Sequence, residues 1–471
     1  MLFASHVFLF VFLPLVLLGY FGLNRYCRSS QPGKIFLCVA NFVFYGWFNP
    51  WYLLILLSSI AVNFLIGRGL YATRDRRRTS GVLLAVGLLF NVGLIGYYKY
   101  ADFFIQNVNS VLSLNWPILH ILLPLGISFF TFQQIAYLIN IHSGELTECY
   151  DLVTYTLFIS FFPQLIAGPI VLPGEMMPQF ADRKNLRFNP ANFAPGLWLF
   201  AVGLAKKLII ADNLAPLAEN MYGLAAEGAV PDILSCWRGV FAYTAQIYFD
   251  FSGYCDMAMG LGLMFNIVLP LNFNSPYQSL NIQEFWRRWH ITLCRFMVQF
   301  VYIPMGGSRH GAFRTYLSIM VTFLVSGLWH GAGWTFILWG GLHGLALCAH
   351  RLFSKQLKLS LPAVLAWPMT MLFLFHADVI IRSRNLATAG RVFRGLYSAP
   401  AGGIKAAFSQ FSLNEMSLIL AALGIAWLLP NAASRIREFK PNVLMLTATV
   451  ILLCVSVLFI NRLSPFIYFN F

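Results

Sequence analysis

Charge is scarce in this chain, and acidic charge most of all. There are 17 Asp and Glu against 32 Lys and Arg in 471 residues, and charged residues make up 10% of the whole. A soluble globular domain carries about 25% charged residues, so a water-soluble fold is excluded. No long polar stretch is present, which leaves no room for a separate soluble domain. The eight cysteines show neither a CxxC spacing nor a Cys/His cluster at metal-ligand spacing. Neither a structural disulfide nor a metal is expected. A GxSxG nucleophile elbow, a Walker A loop and a dinucleotide-binding fingerprint are all missing, so serine-hydrolase chemistry, ATP drive and dinucleotide chemistry lose their usual signatures. An internal hydropathy repeat, common in transporters, is missing too: the stretch 250–332 has no counterpart in the first half.

What fills the chain is apolar sequence. Hydrophobic residues make up 59%, and the mean hydropathy is +0.69. The expected fold is an all-α, polytopic integral membrane protein, one integral domain over residues 1–471. A helical span needs about 20 residues. Candidates fall near 6–24, 35–48, 51–67, 81–98, 121–141, 152–171, 192–210, 232–249, 254–270, 315–328, 334–350, 362–381, 415–430 and 443–461. About eleven to twelve full spans are expected, with the short or Gly- and Pro-bearing segments re-entrant or half-length. The first segment has Pro14, no basic leader and no small-residue cleavage site, so it reads as a retained span.

The net charge of +15 does not point to nucleic acid, because the basic residues cluster in short loops: Arg25, Arg28 and Lys34, then Arg68, Arg74, Arg76, Arg77 and Arg78. This is the pattern of cytoplasmic loops. It places 25–34 and 68–80 in the cytoplasm and Asn49-Pro50-Trp51 outside. The polar stretch Asp102–Asn115 falls outside as well. Trp47, Trp51 and Tyr52 suit an interfacial belt.

The stretch 271–314 breaks the hydropathy pattern. Asn281 reads as a helix N-cap with Glu284 completing a capping box. Phe285, Trp289, Leu293 and Phe296 then share one face of a helix that lies at the cytoplasmic interface or in a protein-lined cavity. His290 follows Trp289 on this helix. His330 follows Trp329 in the glycine-rich Gly327–Gly333, read as a helix break whose bare backbone lets a substrate approach. Ionisable groups are costly in a bilayer, so histidines in such surroundings are functional candidates, and His330 is placed to act as a general base. The alternative is a core histidine bonded to a neighbouring carbonyl. His343, His350 and His376 read as structural. Cys294 shares a helix face with His290, a weak hint of a thiolate–imidazole pair. Asp250 and Asp256 flank Gly253, a candidate helix break. They line a polar cavity, anchor Arg287 or Arg288, or form a structural ion pair.

Several long motifs resemble the membrane-bound O-acyltransferase family. They are Asp250-Phe-Ser-Gly-Tyr-Cys-Asp-Met-Ala, Asn272-Phe-Asn-Ser-Pro-Tyr, Phe285-Trp-Arg-Arg-Trp-His290 and Gly327-Leu-Trp-His-Gly-Ala332. The likeness extends to Leu123–Gln133, Phe162–Pro169, Ala205–Asn213, Met1–Phe10 and Ser464–Phe471. The nearest branch holds the alginate and peptidoglycan O-acetyltransferase membrane subunits; the teichoic-acid D-alanine acyltransferase is more distant. In the late span the chain departs from the family's aromatic-Phe-Arg-Ala element, reading Val379-Ile-Ile-Arg-Ser383, with Arg382 retained.

The resemblance implies a tunnel through the protein centre and a catalytic core about residues 120–350. It makes His330 and His290 the catalytic candidates. Asp250, Tyr254, Asp256, Asn272, Asn274, Arg287, Arg288, Trp289 and Trp329 become candidate substrate-binding residues. It implies no bound cofactor. Acetyl-CoA is the expected donor, a polysaccharide the acceptor, and a periplasmic SGNH esterase-like protein the partner, in a bacterial inner membrane. Arg287, Arg288, Arg309 and Arg314 would attract an anionic donor or contact lipid phosphate. His330 is expected to act on the acceptor hydroxyl and His290 to support donor placement from the cytoplasmic mouth. The competing readings are a proton-coupled transporter and a non-catalytic scaffold of an exopolysaccharide machine.

Overall fold

The computed structural model describes residues 1–27, 29–399, 412–460 and 466–467. Arg28 and all but two residues of the Ser464–Phe471 motif lie outside that set. Among the described residues every regular element is a helix, as apolar surroundings demand, because a helix satisfies its backbone within one segment. Local chemistry sets many of the starts. Asn49 caps the helix Pro50–Ala72 by accepting the Trp51 N–H at 3.0 Å, and Pro50 occupies its first turn, where no donor is needed. Asp151 caps Leu152–Ser160 through the Thr154 N–H at 2.7 Å.

Among the described residues, seven helical stretches are long and apolar enough to cross a membrane: Phe8–Tyr26, Pro50–Ala72, Arg77–Leu112, Pro190–Ala226, Gly311–His330, Trp334–Gln356 and Ala363–Arg382. Ile291–Tyr302, Leu413–Leu428 and Val443–Phe459 are shorter apolar helices. Several expected spans are therefore short. The 152–171 segment is a nine-residue helix followed by a four-residue one, and leaves helical structure after Leu165. The 121–141 segment becomes helical only at Ile127. The polar stretch 102–115 is helical through Leu112, and the Asp102 carboxylate holds the following extended segment through the N–H groups of Leu119 and Ile121. One expectation is corrected outright. The two spans expected at 232–249 and 254–270 are one 32-residue helix, Ile233–Met264.

The chain divides into two compact units. The first comprises Met1–Ala201, Cys255–Pro270 and Phe439–Ile451; the second comprises Val202–Tyr254, Leu271–Glu438 and Leu452–Phe471. The first unit is built on aromatic packing, with Phe8, Phe12, Phe44 and Phe162 in mutual ring contact between 5.3 and 6.0 Å. Buried Asn63 and Asn91 exchange side-chain hydrogen bonds at 2.6 and 3.3 Å, the polar cross-link expected between apolar helices.

The second unit carries His290 and His330. Its helices Gly311–His330 and Trp334–Arg351 form a tight hairpin. A Cβ on Gly327 would lie 2.3 Å from the Phe336 carbonyl oxygen, so glycine is what allows this approach.

Candidate functional site

The ladder of contacts around His290 begins in the backbone. The helix from Asn281 ends at Arg288, and a new one starts at Ile291. The expected single amphipathic helix is therefore two short ones, although Phe285, Trp289, Leu293 and Phe296 are all buried. His290 sits at the junction with φ +46°, a left-handed conformation uncommon for a residue with a side chain. The segment before the first helix holds the junction in place: the Asn274 N–H donates to the Arg288 carbonyl, and the Ile291 N–H to the Asn272 carbonyl, each at 2.9 Å. Strained backbone at a polar residue, fixed from both sides, is a feature that clusters at functional sites.

Asn272 also sets the state of the ring. Its Oδ1 accepts from the Thr292 N–H at 3.2 Å and the Thr292 hydroxyl at 2.9 Å, and lies 3.2 Å from His290 Nδ1. An oxygen already acting as acceptor calls for a donor at Nδ1. The imidazole thus carries its hydrogen there, and Nε2 is the acceptor nitrogen. The ring is fully buried, edge-on to Phe251 with centroids 4.8 Å apart.

His330 ends the helix Gly311–His330, buried at 3% exposure. The expected break lies one step later than the sequence suggested. The backbone is helical through Gly327 and His330, then turns at Gly331–Gly333. The glycines serve helix-to-helix approach: a Cβ on Gly331 would lie 2.2 Å from the Phe336 ring. The two imidazoles are 6.4 Å apart between centroids. Trp329 lies 5.7 Å from His290, and Trp339 lies 5.0 Å from His330. Both histidines thus belong to one aromatic-walled cluster.

The other candidates divide. Asn272, Trp289 and Trp329 belong to the histidine cluster, Trp289 through its contact with Phe273 at 5.0 Å, which itself faces His290. Asp250 does not anchor an arginine. It pairs with Lys207 at 2.7 Å, and Lys207 pairs with Asp212 at the same distance. The Ile467 N–H adds a bond to Asp250 at 2.8 Å. Lys207 and Asp212 are brought to one side by the π-helical turn Lys206–Ala211 between them. Gly253 is no helix break; a Cβ there would lie 2.8 Å from the Gly203 carbonyl oxygen. Asp256 is buried, at 1% exposure. Tyr254 packs on Phe466 at 4.8 Å. Arg288 pairs with Glu284 at 2.6 Å, and Asn274 is exposed. Cys294 offers its thiol to the Trp289 carbonyl at 3.5 Å. Exposed Arg287 lines a second, largely apolar cavity of about 650 Å3 that also takes in Arg295 and Ser326, the latter one turn before His330.

Residues not singled out from the sequence complete the site. His343, read as structural, accepts the Trp286 indole N–H on Nδ1 at 3.2 Å. It lines a cavity of about 20 Å3 together with His330, Trp289, Trp339 and Asp378. The signal for His343 is its place four residues after Trp339 on one helix face. For Asp378 it is a lone carboxylate inside the apolar run Met369–Ile381. Arg382 lies over the rings of Tyr222 and Tyr243, at 5.4 and 5.7 Å.

With this geometry in hand, comparison with known proteins is direct. Residues 143–376, which hold both histidines, match the MBOAT, membrane-bound O-acyltransferase family. The peptidoglycan O-acetyltransferase of Helicobacter pylori is 39% identical, with 100% of this chain and 98% of that protein covered. The probable alginate O-acetylase AlgI of Pseudomonas aeruginosa is 38% identical over 88% of this chain and 77% of its own. The teichoic acid D-alanyltransferase of Bacillus subtilis is 28% identical over 50% of this chain and 60% of its own. Likeness that runs the length of the chain and is centred on the histidine-bearing segment makes this multi-pass membrane protein an O-acyltransferase of the membrane-bound O-acyltransferase family.

Proposed function

We propose that this enzyme takes an acetyl group from cytoplasmic acetyl-CoA and delivers it across a bacterial inner membrane for O-acetylation of a periplasmic or cell-surface polysaccharide, with a periplasmic SGNH esterase-like protein completing the transfer. The observation that carries this reading is the buried imidazole pair, 6.4 Å apart, with His290 fixed in one tautomer by Asn272. Transfer from a thioester to a hydroxyl needs a base, an oriented acceptor and no nucleotide hydrolysis. The hydroxyl oxygen attacks the thioester carbonyl carbon and the carbon–sulfur bond breaks. His330 takes the hydroxyl proton and returns it to the departing sulfur, and His290, held by Asn272, forms the adjoining wall of the site. A positioned base contributes about 10²–10⁴-fold, and holding both reactants together supplies much of the remainder. Support for an anionic donor comes from Arg287 and Arg295 beside the 650 Å3 cavity. The choice of a glycan acceptor rests on the relatives whose names specify peptidoglycan and alginate.

The test is release of free thiol from acetyl-CoA by the purified protein in proteoliposomes, with de-O-acetylated peptidoglycan or alginate as acceptor. The expected result is thiol release that depends on acceptor and is lost in His330→Ala. Intact, monodisperse wild-type protein that leaves the thioester untouched with either glycan, and with the partner added, overturns the reading.

A further inference from the structure

Next to His330 is a cavity of about 20 Å3 that takes in Asp378, His343, Trp289, Trp339 and Tyr277. A space of that size holds one water, and a buried water needs polar partners, which three ionisable side chains supply. Asp378 is oriented on its far side. Its Oδ2 accepts the Thr244 hydroxyl at 2.6 Å, and the Thr244 carbonyl accepts the Tyr277 hydroxyl at 2.9 Å. His343 is oriented too, since accepting the Trp286 N–H on Nδ1 places its own hydrogen on Nε2. Asp378 lies two residues beyond the segment that matches the family, 143–376. A base works best when a third group fixes its ring and steadies the imidazolium that forms.

We propose that Asp378, held by Thr244, is a positioning residue for His330, acting through one water in this cavity. The proposal rests on the acyltransfer role of His330. The carboxylate accepts from the water, the water bonds the His330 ring, and the positive charge that develops on His330 during proton transfer is offset at one water's remove. Asp378 therefore touches neither donor nor acceptor, and removing it changes turnover and leaves binding alone.

The test uses the full chain in proteoliposomes and thiol release from acetyl-CoA. Asp378→Asn keeps the size and an acceptor for Thr244 but not the charge. It is expected to lower kcat by about 10- to 100-fold, below the about 10²–10⁴-fold of the base itself, with KM for acetyl-CoA within about twofold. Asp378→Glu restores part of the loss, and Thr244→Val gives a smaller fall in kcat in the same direction. If Asp378→Asn fails to fold, Thr244→Val decides, because it leaves the carboxylate in place and only frees its orientation. Full kcat in Asp378→Asn, or in a folded Thr244→Val, overturns the proposal, as does a rise in KM at unchanged kcat. Wild-type turnover that His330→Ala abolishes, beside an unaffected Asp378→Asn, sinks this inference alone; no wild-type turnover sinks the acyltransfer reading instead.

Discussion

The second unit holds two buried polar clusters built on opposite plans. In one, the Lys207 ammonium bridges Asp212 and Asp250 at 2.7 Å each, and a backbone N–H completes Asp250. In the other, two imidazoles stand among Phe251, Trp329 and Trp339, and one of them, His330, borders room for a water. The first is a charge-matched knot. Ions removed from water are tolerable only when paired and hydrogen-bonded, and once so paired they hold elements in register. The second keeps groups that can gain or lose a proton beside space. The two are joined by one peptide step, because Phe251, next to Asp250, packs edge-on to His290. The knot thus sets the helix that forms one wall of the histidine site. Motifs of equal clarity in sequence end in different surroundings: one in matched charges, the other in an aromatic wall beside a cavity.

Breaking the knot should give the largest effect. Lys207→Met leaves two buried carboxylates facing each other and is expected to cost about 3–5 kcal/mol of stability. Thermal unfolding followed by size-exclusion chromatography in detergent measures it, and a variant as stable as wild type would show that the triad is not a structural knot. Breaking the other cluster should leave the fold alone. His330→Ala is expected to lower acetyl transfer by about 10²–10⁴-fold with an unchanged melting profile. Wild-type turnover in that variant would reduce His330 to a packing residue. Between these, Asn272→Ala frees the His290 tautomer and is expected to lower kcat on the order of 10-fold. A change confined to KM for acetyl-CoA would instead favour the separate donor role first expected for His290. The smallest effect belongs to Thr292→Val, which removes one donor to Asn272 Oδ1. It should cost about 0.5–1.5 kcal/mol and less turnover than Asn272→Ala, by the same two assays.

Much of the site was legible because intramembrane polarity is rare. His290, His330, Asn272, Trp289 and Trp329 stand out against apolar sequence, and they meet in space. Asp250 stood out equally, but its partner did not. Lys207 lies 43 residues upstream, and nothing local says that it will meet Asp250 rather than leave Arg287 or Arg288 to do so. Glycine was misread for a related reason. Gly253 and Gly327 look like helix breakers in a linear reading, yet each lies within a helix and permits close approach, because a neighbouring backbone, at Gly203 and at Phe336, occupies the space of the absent Cβ.

The sequence by itself determined the solvent and the class of element. Ten per cent charge and end-to-end apolar runs leave only helices threaded through a bilayer, since hydropathy and backbone satisfaction are local properties that add along the chain. It also determined the family, because long motifs survive as strings. Only the tertiary structure decided which polar groups neutralise one another and which line space. It turned the chain at His290 into a left-handed corner, ran one helix through Gly253, and set Asp378 beside the cavity of His330. Pairing and cavities depend on distances between residues far apart in sequence, and those distances exist only once the helices have packed.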